Sequence, residues 1–112
     1  MAKIKLHSLH CILNDETDKD EVFLKLDGKK IWPGGLYKQI NSGEKIPMEV
    51  AFNHDEEEIQ LQLWDFDYLS KNDHLGTFII VPHGDRGRFT ASMRLERPGS
   101  TASYILEWEA TD

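Results

Sequence analysis

Polar and apolar positions alternate along most of this chain, and the phase of that alternation marks out strands. Ile59, Leu61 and Leu63 alternate with Gln60 and Gln62, as a strand with one buried face requires. Val22, Leu24 and Leu26 do the same around Phe23 and Lys25. Ile46, Met48, Val50 and Phe52 keep one parity, with Pro47 near the start of the run, where proline is tolerated. Tyr104, Leu106 and Trp108 alternate with Ser103, Ile105 and Glu107, and Arg88 to Leu95 puts Phe89, Ala91, Met93 and Leu95 on one side. Leu75 to Val81 is a further apolar run that reads as a strand. Lys3 to Leu13 carries apolar residues at both parities, with the phase changing around Ser8; that predicts one long strand with a bulge.

Turn signals separate these runs. Asp27-Gly28 predicts a tight hairpin returning through Lys29-Lys30-Ile31-Trp32, and Pro33-Gly34-Gly35 stops that strand. Leu36 to Ile40 reads equally as a short strand or an extended loop, and Asn41-Ser42-Gly43-Glu44 is another turn. Seven or eight short strands, turns about every 8–12 residues and no helical period predict an all-β fold, an eight-stranded antiparallel β-sandwich. Val22, Leu24, Val50, Leu61, Leu63 and Leu106 are expected in its core. At 112 residues the chain is read as a single domain, 1–112.

Charge and chemistry narrow the function. The formal net charge of −7 argues against nucleic acid, whose phosphates demand a basic face. The one cysteine, Cys11, lies in an apolar strand and reads as a small core residue. His7 and His10 are three apart, so on a strand they face opposite ways and share no metal. Neither a glycine-rich phosphate loop nor a nucleophile elbow occurs, so the chain is not read as an enzyme. No apolar run reaches the length of a membrane span or follows the basic N-terminal residues as a leader would, and a cytoplasmic protein, peripheral to membranes, is expected.

Two acidic clusters remain. Asp15, Glu16, Asp18, Asp20 and Glu21 lie in and after one loop; Asp65, Asp67 and Asp73 lie in the connection between the Ile59 strand and the Leu75 strand. Carboxylates converging on one loop repel unless a cation lies between them, and hard oxygen donors suit calcium. The EF-hand loop does not fit. Counted from Asp65, it needs Asp or Asn at Leu69, glycine at Ser70 and glutamate at Gly76.

Leu61-Gln62-Leu63-Trp64-Asp65-Phe66-Asp67, followed by Asn72-Asp73-His74-Leu75-Gly76, resembles the third calcium-binding loop of C2 domains. Asp20-Glu21-Val22-Phe23-Leu24-Lys25-Leu26 is similar to that family's exit from loop one, with Glu21 in place of the usual proline and one residue inserted. The family's earlier loop-one aspartate falls on Asn14, with Asp15 one residue off. The resemblance implies an eight-stranded sandwich with loops one and three at one end, forming a cup for Ca2+. It implies Asp20, Asp65, Asp67 and Asp73 as ligands, with Asp15 as a fifth. It further implies attachment to an anionic phospholipid surface or a protein partner, with Tyr68, Leu69 and Lys71 at the tip as membrane contacts. The alternative is a calcium-independent C2-like protein–protein interaction domain.

Overall fold

A computed structural model describes residues 2–15, 19–82, 87–96 and 100–111 of the chain. Two antiparallel sheets face each other. One is built from β1 (Ala2–Leu13), β5 (Lys45–His54), β8 (Arg88–Ser92) and β10 (Ser103–Thr111), in the order β5-β1-β10-β8. The other runs β3-β2-β6-β7-β9, from β2 (Asp20–Leu26), β3 (Lys29–Trp32), β6 (Ile59–Asp65), β7 (Asp73–Ile80) and β9 (Arg94–Leu95), with β4 (Lys38–Ile40) also paired to β2. Among the described residues there is no helix.

The alternating residues supply the core between the sheets. Val22, Leu24, Leu61, Leu63 and Leu106 are buried as expected, whereas Val50 is only partly covered because β5 is an edge strand. The phase change in β1 is a bulge: the register shifts between Leu6 and Ser8 against both β10 and β5. On β5 the compensating residue is Glu49, whose φ is 55°. The Asp27-Gly28 hairpin forms with φ values of 52° and 81° and pairs Leu26 with Lys29. Both central residues at positive φ give the turn whose twist matches the flanking strands.

Two departures from the sequence reading shape the edges. Arg88 to Leu95 is not one strand. It leaves the first sheet after Ser92, turns at Met93, whose N–H donates to the Tyr104 carbonyl (3.0 Å), and joins β7 of the other sheet as β9. Leu95 therefore ends up exposed instead of sharing a buried side with Phe89. The second departure is on the β2 edge. Trp32 pairs with Leu24 and Lys38 with Val22, so residues 33–37 all stand opposite the single residue Phe23. Counting β3 with β4, and β8 with β9, as interrupted runs recovers the eight expected.

Candidate functional site

Strand pairing brings the acidic loops to one end of the sandwich. Asp65 pairs with Val22 of β2 on one side and with Asp73 of β7 on the other. Asp65 Oδ1 accepts the Glu21 N–H at 2.9 Å, and the Phe66 N–H donates to the Glu21 carbonyl at 2.7 Å. The exit of loop one is thus stitched to the entry of the β6–β7 loop. The turn before β5 joins them: Asn14 N–H and the Ser42 hydroxyl meet at 3.1 Å, and that hydroxyl donates to Asn14 Oδ1 at 2.6 Å.

Asp20 is fully buried. Its carboxylate accepts the Asp15 N–H at 2.9 Å and 3.1 Å and the Tyr104 hydroxyl of β10. Burial, and then the Asp20 carboxylate, push the Tyr104 phenol well above its ordinary pKa. Cys11 touches the same hydroxyl, and burial raises its thiol pKa in turn. The Asp15 carboxylate accepts the Ser100 hydroxyl at 2.6 Å. Loop one is therefore tied to the core by the protein's own donors. Glu16 and Asp18 of the same acidic cluster lie outside the described residues.

Asp67 is exposed and folds its own loop. Its Oδ1 accepts the Leu69 N–H at 2.8 Å and its Oδ2 the Ser70 hydroxyl at 2.7 Å; these bonds hold the carboxyl below its usual pKa. The Asp67 N–H in turn donates to Asn72 Oδ1 at 2.9 Å. Asp73 begins β7, half-buried. Among the described residues no three His, Cys, Asp or Glu side chains are grouped so as to hold a metal ion. Asp20, Asp65 and Asp67 each accept bonds from the protein's own donors, so a calcium ion here would share carboxylate lone pairs with contacts the chain already makes.

The same end carries an apolar tip. Leu69 is 97% and Tyr68 68% exposed, with Lys71 exposed beside them. The ring of Tyr68 meets Phe66 edge-on at 4.7 Å and Tyr37 at 6.1 Å, and Tyr37 stacks on Phe66 at 5.3 Å. The neighbouring Tyr68 hydroxyl, and then the Glu21 carboxylate, raise the Tyr37 phenol pKa. Tyr37 and its neighbour Leu36, 58% exposed, come from the 33–37 bulge. Ile12 and Leu13, at the end of β1, are exposed on the loop-one side. None of these four was marked by the sequence reading. The available signal was two large apolar residues directly after Pro33-Gly34-Gly35, where a polar turn would be ordinary.

No protein-family profile matches the sequence, and no curated protein does. Among solved structures, the C2A domain of a plant extended synaptotagmin 1 superposes with a TM-score of 0.56 at 12% identity, covering 98% of this chain and 92% of that one. The fold is that of a C2 domain. At this identity the likeness speaks for the C2 architecture. It leaves the chemistry of the C2 loops to be read from this chain's own residues.

Proposed function

We propose that this C2-type module attaches peripherally to a membrane through its loop end, without needing calcium. The observation that carries it is where the exposed apolar side chains lie. Among the described residues, Ile12, Leu13, Leu36, Tyr68 and Leu69 stand at or beside that end, and only Val81 and Leu95 elsewhere. Single exposed leucines are ordinary on a protein surface; their concentration around one end is not. Tyrosine beneath a leucine tip suits the interface, since its ring is apolar and its hydroxyl wet. The test is sedimentation in a chelator with vesicles of phosphatidylcholine alone and of phosphatidylcholine mixed with phosphatidylserine. Wild type should pellet, and Leu69→Ala should weaken binding about fivefold, the cost of one partly buried leucine. If wild type stays in the supernatant with all vesicles, the loop end serves a protein partner instead.

A second reading gives the end to calcium. The observation favouring it is the pairing of Asp65 with Asp73, next to exposed Asp67. Asp65, Asp67 and Asp73 would then supply carboxylate oxygens, with Asp20 and Asp15 contributing only if their internal bonds were given up. Calcium supplies, when bound, positive charge that offsets carboxylate repulsion. Thermal denaturation with and without millimolar calcium separates the two readings. The calcium-independent one expects superimposable curves, whereas a ligand held at a hundred times its Kd raises Tm by roughly 10 °C.

A further inference from the structure

The charge around the apolar tips says which lipid surface they suit. Asp15, Glu21, Glu44, Asp67 and Asp73 are at least partly exposed at the loop end, and Asp20 and Asp65 are buried just behind them. Against these carboxylates stand, among the described residues, Lys19, Lys38, Lys45 and Lys71. Charge is screened over about 8 Å at physiological ionic strength, so this local excess, more than the total of −7, is what a bilayer meets. An anionic surface would be repelled. A zwitterionic one presents no net charge and leaves the apolar contribution to decide.

The same end has two apolar prongs. One is Tyr68-Leu69 on the β6–β7 loop. The other is Leu36-Tyr37 on the bulge that interrupts the β2 edge, a segment that reaches the first prong through the Tyr37–Tyr68 contact at 6.1 Å. Each leucine is the chain neighbour of one of two touching tyrosine rings. Two exposed leucines, each beside one of a pair of touching tyrosines, can enter a bilayer interface together. We infer that the module inserts both prongs, Leu36 together with Leu69, into a phosphatidylcholine-rich surface, and that added anionic lipid does not strengthen the attachment.

This rests on the membrane reading above, and the experiment separates the two. Wild type, Leu36→Ala, Leu69→Ala and the double variant are sedimented in chelator with vesicles of phosphatidylcholine alone and of an equimolar phosphatidylcholine–phosphatidylserine mixture. The exposed positions make folding failure avoidable, and unchanged thermal denaturation of each variant checks it. Expected are binding to phosphatidylcholine, equal or weaker binding to the mixture, about fivefold loss for each single variant and a larger loss for the double. A nitroxide at position 36 should become shielded from an aqueous relaxation agent on binding. Attachment only to the mixture, or attachment with position 36 still in water and Leu36→Ala unaffected, overturns the two-prong zwitterionic docking but leaves membrane attachment standing. No binding to either vesicle overturns both.

Discussion

Asp20 shows how much one residue's neighbours alter its chemistry. In the sequence it is one acidic residue of five within Asp15 to Glu21; in the fold it is a buried acceptor for Tyr104 and for the Asp15 backbone. The partner lies 84 residues away, so no local pattern could have disclosed it. Removing the hydroxyl leaves a buried carboxylate short of a donor. Tyr104→Phe should therefore cost about 2 kcal/mol, as for a hydrogen bond to a charged group, read as a lower denaturant midpoint with unchanged slope. A change too small to resolve would mean that Asp20 does not depend on Tyr104. The pH dependence follows in sign. The Tyr104 pKa is raised in the folded state, so its contribution is intact below the unfolded tyrosine value of about 10 and is lost as pH rises beyond it. Wild-type stability should therefore fall in alkali, and Tyr104→Phe should make the decline shallower by up to one proton's worth.

At the scale of elements, period-two alternation was legible almost throughout, because one face of most strands is buried and the other is not. It identified β2, β5, β6 and β10 and the bulge in β1 at Ser8. It failed where a strand changes sheets, since Arg88 to Leu95 keeps its alternation while the surface it packs against changes at Met93. The loop signature was legible as well, although its closing glycine has a reason the sequence did not disclose. A side chain at Gly76 would overlap the Arg94 carbonyl and the Met93 side chain, so the glycine lets β9 lie against β7. Gly76→Ala should cost about 1–3 kcal/mol by overpacking against backbone that cannot yield. Amide exchange at β9 should accelerate in this variant while β1 and β10 stay protected. Faster exchange throughout the chain would show instead that β9 is not a separable edge.

For the molecule as a whole, the sequence indicated a sandwich and two acidic loops, and the fold shows that those loops share an end with exposed Leu13, Leu36 and Leu69. Apposition was the missing quantity: stitching by the Glu21 amide and carbonyl and by Ser42 depends on strand order. The 33–37 bulge also bears on how copies of the molecule meet one another. A continuous strand along β2 would display an unbroken row of unpaired N–H and C=O groups, a template for a second copy's edge. Five residues opposite Phe23 break that row between Trp32 and Lys38, and Pro33 contributes no N–H at all. Replacing residues 33–37 by a single serine would straighten the edge. The expected result is concentration-dependent dimers or larger species in light scattering, where the unaltered chain stays monomeric. The segment proposed to reach into lipid would then have a second effect in water: it keeps one sandwich from zipping onto the next.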